Sequence, residues 1–144
     1  ERVEAAGLRM LVNEGVAVPV DDAVLWLAGV DDPHFFRLDD VDAALKEAPP
    51  DAFRVLLTHT PECAKEAAAK GVRLYLCGHT HGGQVRLPGL GPLMINARCP
   101  RSRALGRWQL GEMTGFTSSG LGLTDAPVRF GCPPEAILFT LKKG

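Results

Sequence analysis

At 144 residues, 46% hydrophobic content and a net charge of −1, the chain is large enough for one domain or part of one and too apolar for a disordered segment. The balanced charge gives no global field that would draw nucleic acid, and no apolar run approaches the length of a membrane span. The four cysteines, Cys63, Cys77, Cys99 and Cys132, form no Cys-x-x-Cys pair, which argues against a structural zinc knuckle and for reduced thiols.

Glu1 to Gly7 reads as the end of a helix closed by glycine. Leu8 to Val12 reads as a short strand, Asn13-Glu14-Gly15 as a turn, and Val16 to Val20 as the hairpin partner. Asp21-Asp22 is a second turn. Val24 to Val30 is nearly all apolar, the pattern of a central strand covered on both faces. Asp31-Asp32-Pro33-His34-Phe35 follows at that strand's end. Asp before Pro is ordinary turn chemistry, so these carboxylates read as turn caps, with a ligand role left open, and His34 carries no stronger signal. Asp39 to Ala48 reads as an acid-started helix with a solvated acidic face, ended by Pro49-Pro50.

The next stretch carries the chemistry. Arg54 to Thr58 reads as a strand ending in His59, and Thr60-Pro61 as the N-cap and first position of a helix from Glu62 to Lys70. Gly71 stops that helix, and Val72 to Cys77 reads as a second, buried strand running into Gly78-His79-Thr80-His81-Gly82-Gly83-Gln84. Strand, helix, strand at this length is a βαβ crossover with parallel strands. Parallel neighbours end on one edge of the sheet, so the crossover brings His59 next to His79 and His81. Ligands bind at that edge in open α/β sheets. Neutral imidazole is the commonest metal ligand, and three converging rings favour a metal site. The other reading is that they satisfy loop hydrogen bonds.

After Gln84, Pro88, Gly89, Gly91, Pro92 and Pro100 break the chain into a long irregular segment. Arg98, Arg101, Arg103 and Arg107 cluster there, either as a solvated basic loop or as a contact surface for phosphate, since the guanidinium fork suits phosphate oxygens. Arg107 to Leu110 and Gly115 to Ser119 read as antiparallel strands, Gly120-Leu121-Gly122 as a glycine-rich loop with no Gly-Lys-Ser/Thr after it, and Ala136 to Leu141 as a closing strand. Arg129 follows Pro127 and could point into the site.

Leu56-Leu57-Thr58-His59-Thr60-Pro61, Gly78-His79-Thr80-His81-Gly82-Gly83-Gln84, Val85-Arg86-Leu87-Pro88, Gly120-Leu121-Gly122, Pro127-Val128-Arg129-Phe130 and Pro134-Glu135 together resemble the calcineurin-like metallophosphoesterases, in particular the YkuE/YaeI-like bacterial branch. The first two correspond to the last two metal-binding motifs of that family, and the resemblance runs from about Leu8 to Leu141. The family's earlier motifs, Asp-x-His, Gly-Asp-x-x-Asp and Gly-Asn-His, are not found in the 144 residues.

The resemblance therefore implies that residues 1–144 form the C-terminal portion of a single metallophosphoesterase domain. The fold it implies is α/β, part of a four-layer αββα sandwich with mixed sheets whose N-terminal half is missing. It implies hydrolysis of a phosphodiester or phosphomonoester by a water activated on two divalent ions (Mn, Fe or Zn). His59 and His79 would ligate one ion and His81 the other, with Arg129, Arg101 and Arg103 toward the substrate. A lipid-linked phosphodiester is the implied extension of the substrate class, and the location is left open between the cytoplasm and the membrane periphery. Three neutral imidazoles without carboxylates leave two dications uncompensated, so the chain alone is expected to be inactive, and exposed sheet is expected to make it unstable or self-associating. The residues by themselves also admit a mononuclear metal-binding module using His59, His79, His81 and Cys77, or a non-catalytic remnant used as a binding domain.

Overall fold

The computed structural model describes residues 2–124 and 127–142; Glu1, the first residue of the expected opening helix, lies outside them. In chain order the elements are α1 (Arg2–Ala5), β1 (Glu14–Val20), β2 (Ala23–Gly29), α2 (Val41–Leu45), β3 (Phe53–Leu57), α3 (Ala64–Ala69), β4 (Leu74–Cys77), β5 (Arg86–Leu87), β6 (Gly91–Pro92), β7 (Gly106–Leu110) and β8 (Met113–Thr117), with 3-10 turns at His81–Gly83 and Arg101–Arg103. Six strands form one mixed sheet in the order β1-β2-β3-β4-β8-β7. The inner four are parallel to one another, while β1 and β7 are antiparallel edges. The fold class is α/β, as expected from alternating strands and helices.

The sheet's period of two decides what is buried. Ala28, Leu56 and Tyr75 lie in one cross-strand row, and together with Trp26 they pack under Val41 and Ala44 of α2 and Ala64 and Ala67 of α3. Trp26 Nε1 donates to the Ala44 carbonyl at 3.0 Å, satisfying a group that the end of α2 leaves free. Asp40 caps the same helix, its side chain accepting from the Ala43 amide at 2.8 Å. The opposite face carries Leu25, Leu27, Leu57, Leu76 and Phe116 by register. It is covered less well: Phe53 is 44% and Leu57 37% exposed.

Two expected strands take other forms. Leu8 to Val12 does not pair; the hairpin instead joins β1 to β2 across Asp21-Asp22. The reason lies in Asn13, at φ 55°. Its carboxamide oxygen accepts from the amides of Asp31 (3.0 Å) and Asp40 (2.9 Å), and its nitrogen donates to the Leu38 carbonyl (2.7 Å). It anchors the loop after β2 rather than turning a hairpin. Ala136 to Leu141 is likewise unpaired; Phe139 lies against Phe116, with ring centroids 5.3 Å apart, on the poorly covered face. Helix α3 begins at Ala64 rather than Glu62, since Thr60 Oγ1 accepts from the Glu62 amide (3.2 Å) in a turn that precedes the helix.

Candidate metal centre

Strands β3 and β4 pair in parallel, Leu57 opposite Leu76, and both run out at the same edge. Two further backbone bonds extend the pairing beyond the strands: Thr58 N–H to Leu76 O at 3.1 Å, and Gly78 N–H to His59 O at 3.1 Å. This sets His59 against His79, with His59 Nε2 and His79 Nδ1 2.9 Å apart. His79 and His81 hold φ of 67° and 49°, a left-handed conformation that costs a branched side chain energy and recurs at functional turns. The glycines after them are fixed by packing. A Cβ on Gly82 would meet Cys132 Sγ at 2.5 Å, and one on Gly83 would meet Pro92 Cβ at 2.5 Å. Thr80, fully inside, bonds the Ala104 carbonyl at 2.6 Å and locks the turn to the segment before β7.

Donor chemistry tests whether these rings suit a divalent ion. A carbonyl can only accept, so His79 Nε2 carries the proton it donates to Asn96 O at 2.5 Å. That leaves Nδ1 with its lone pair toward His59. An outer-shell acceptor that fixes the tautomer is the usual support of a metal-bound histidine. Burial, helped by the neighbouring His59 and His34, holds His79 below the ordinary histidine pKa, against the pull of the Asn96 carbonyl and Glu62, so the ring stays neutral near pH 7. The lone pair of His79 Nδ1 thus faces His59 Nε2 at hydrogen-bond distance, the donor chemistry that a divalent ion placed there would use.

His81 is placed differently. Its Nδ1 lies 3.3 Å from Arg129 Nη2, which can only donate, so the lone pair is engaged by a guanidinium. The same Nη2 faces the carbonyls of Ser119 (2.8 Å), Gly120 (3.2 Å) and Gly122 (2.5 Å). Arg129 therefore holds the Gly120-Leu121-Gly122 loop over His81. Glu135 supports that loop from the other side, accepting from the Ser119 amide at 2.7 Å. Arg103 lies over the Trp108 ring at 5.5 Å, and Arg101 is exposed; no hydrogen bond or ring contact among the described residues joins either to the three histidines. Among the described residues, no three His, Cys, Asp or Glu side chains converge closely enough to hold an ion.

Three further residues, which the sequence marked only weakly or as part of a motif, belong to this edge. His34 packs on His79 with ring centroids 4.4 Å apart, and its Nδ1 meets Glu62 Oε1 at 2.6 Å. The available signal was its position just past β2, a strand parallel to β3 that ends on the same edge. Asp32 caps its own turn through the amides of Phe35 (2.5 Å) and Phe36 (2.9 Å), while its Oδ1 is buried with no hydrogen-bond partner among the described residues. Gln84, 7% exposed, accepts from the Thr124 amide at 2.5 Å and joins the second histidine turn to the loop that follows β8.

No family model and no solved structure matches the chain. Curated relatives do. The metallophosphoesterase YkuE of Bacillus subtilis is 35% identical over 122 residues, covering 85% of this chain and 42% of that protein. The phosphodiesterase YaeI of Escherichia coli is 28% identical over 141 residues, covering 98% of this chain and 50% of that protein. A transmembrane protein with a metallophosphoesterase domain from Bos taurus is 35% identical over 140 residues, covering 87% of this chain and 30% of that protein. The chain thus spans about half the length, or less, of these relatives. Across nearly all of its length, both histidine motifs included, the chain is similar to several proteins named for one chemistry, and this likeness supports the resemblance to the calcineurin-like metallophosphoesterases.

Proposed function

We propose that the protein carrying this chain is a metal-dependent phosphoesterase, and that the chain supplies His59 and His79 to one divalent ion and His81 to a second. The observation that supports this most directly is the meeting of His59 Nε2 and His79 Nδ1 at 2.9 Å on the carboxyl edge of a parallel pair, with the His79 tautomer fixed by Asn96. Two bound ions, as Mn, Fe or Zn, would supply charge stabilisation at phosphorus and an acidified water. Within the chain, His79 presents a neutral nitrogen toward His59. His81 joins the centre by exchanging Arg129 as its Nδ1 partner, which frees the guanidinium for a phosphate oxygen. The carboxylates that two dications require come from the rest of the protein. In this reading that part also supplies a second sheet over the half-exposed face, completing the four-layer sandwich.

The substrate end of the proposal is a phosphodiester joined to an apolar group. Phe35, Phe36, Met94 and Leu121 are each more than 60% exposed on loops around the histidines, a setting suited to lipid. No described helix is long and apolar enough to cross a membrane.

The test is metal content and hydrolysis of bis-p-nitrophenyl phosphate with added manganese, on the complete protein and its His79→Ala variant. The expected result is about two ions per chain and turnover that the substitution abolishes. A complete protein that binds no divalent ion, or a variant that turns over at the parental rate, overturns the proposal.

A further inference from the structure

We propose that Glu62 is a positioning residue of the candidate metal centre: it binds together the two loops that hold the His79 ring. This rests on the reading of His79 as a metal ligand. An acid just ahead of a helix ordinarily faces water, where it serves the helix dipole. The Glu62 side chain is instead only 7% exposed. Each of its oxygens takes two donors. Oε1 receives His34 Nδ1 (2.6 Å) and the Arg98 backbone amide (2.8 Å); Oε2 receives Arg98 Nε (3.0 Å) and Nη2 (2.7 Å). Arg98 Nη2 continues to the carbonyls of Pro33 (3.0 Å) and His34 (3.1 Å).

The network closes a ring through three loops. Glu62 follows His59 on the loop after β3; His34 comes from the loop after β2; Arg98 lies two residues beyond Asn96. Each of the last two loops touches His79. His34 packs on its ring at a tilt of 47°, with centroids 4.4 Å apart, and Asn96 O accepts its Nε2 proton at 2.5 Å. His79 also holds a strained φ of 67°, and strain of this kind persists only where the surroundings over-determine the conformation. Only a carboxylate accepts four donors on two oxygens; a glutamine would turn an NH2 toward the Arg98 guanidinium. Burial pushes the Glu62 carboxyl up, but the bonds from the Arg98 amide, His34 and the Arg98 guanidinium outweigh it and hold the group below the ordinary glutamate value, as an ionised acceptor requires.

The experiment uses the complete protein with Glu62→Gln and, separately, Arg98→Ala. Two readouts are taken: the imidazole nitrogen-15 spectrum of the metal-free protein, and the Zn2+ dissociation constant. The parent should show His79 as a single Nε2–H tautomer. Both variants should show mixed His79 tautomers and Zn2+ binding weaker by about 10- to 100-fold, the usual effect of losing an outer-shell partner. A residue with a merely structural role would lower the melting temperature and leave tautomer and affinity unchanged. His79 remaining wholly Nε2–H in the variants, with affinity within about twofold of the parent, overturns the proposal. If Glu62→Gln does not fold, Arg98→Ala decides alone. If the parent binds no divalent ion, Mn2+ and Fe2+ included, the phosphoesterase reading fails, while the tautomer spectrum still decides the role of Glu62.

Discussion

Tyr75→Phe separates the support of the histidine edge from the edge itself. Tyr75 is fully buried in the middle of the sheet, and its hydroxyl donates to the Thr60 carbonyl at 2.7 Å. Cys63 Sγ lies 3.1 Å from the same oxygen, so the thiol proton points to the hydroxyl and the hydroxyl proton to the carbonyl. Thr60 follows His59 directly and is itself fully buried. Phenylalanine keeps the ring and its packing on Trp108, at 5.5 Å between centroids, so no cavity forms. The loss is the hydroxyl's bond to the Thr60 carbonyl, the weaker bond from the Cys63 thiol, and a carbonyl left unpaired inside, about 1–3 kcal/mol. That is roughly a 5- to 150-fold shift in the folding equilibrium, or about 2–12 °C in melting temperature. Denaturant unfolding of the complete protein, followed by tryptophan fluorescence, measures it. Zn2+ affinity should weaken in parallel, because the turn that carries His59 loses its tie to β4. A change below about 0.5 kcal/mol would refute the claim that this hydroxyl is the carbonyl's partner.

Gly115→Ala should destabilise by about 1–3 kcal/mol through overpacking, because the new Cβ would fall 2.2 Å from the Trp108 ring. That ring cannot swing aside without losing its bond to Thr117 Oγ1 at 2.9 Å; thermal melts of the variant check this. Burial raises the thiols of Cys63 and Cys99 and pushes Cys77 up to about 12, so all three should resist iodoacetamide at pH 8 until the protein unfolds, as read by mass spectrometry. Stability should fall as the solution is acidified. The folded pKa of His79 is depressed, so its contribution is complete above pH 6.5 and lost as pH falls through the folded value. Glu62, facing His34 and Arg98, and Asp32, held by the turn amides, are also depressed and lose theirs below about pH 4.5. Melting temperatures at pH 4 and pH 7 test the sign, and a higher value at pH 4 would contradict it.

The βαβ crossover was legible because each of its parts carries a local signal: two apolar runs, an alanine-rich helix between them, and Gly71, whose φ of 76° ends that helix. Parallel pairing then fixes the meeting of His59 and His79 without further information. The hairpin was less legible. Leu8 to Val12 has strand composition, but its fate depends on Asn13 bonding to amides 18 and 27 residues away. Ala136 to Leu141 likewise reads as a strand, since composition does not reveal whether an edge is open to pair with. His34 stood only as a weak candidate, and Glu62 escaped notice, for a related reason. A histidine after Asp-Pro and an acid ahead of a helix each have an ordinary local explanation, and only the sheet order brings them to His79. The same limit hid the Arg129 contact with His81, which spans 48 positions.

The short reach of the crossover has one more consequence. An ion shared by His59 and His79 would join two points 20 positions apart and close α3 and β4 into a ring anchored at the end of β3. A covalent cross-link over such a loop removes about 3 kcal/mol of chain entropy from the unfolded state. A shared ion would act as a reversible cross-link of that kind, installed by the metal supply and withdrawn by a chelator. Metal depletion would then loosen the crossover as well as silence the chemistry. Variants of either histidine should therefore be compared at matched metal occupancy before an activity loss is assigned to catalysis.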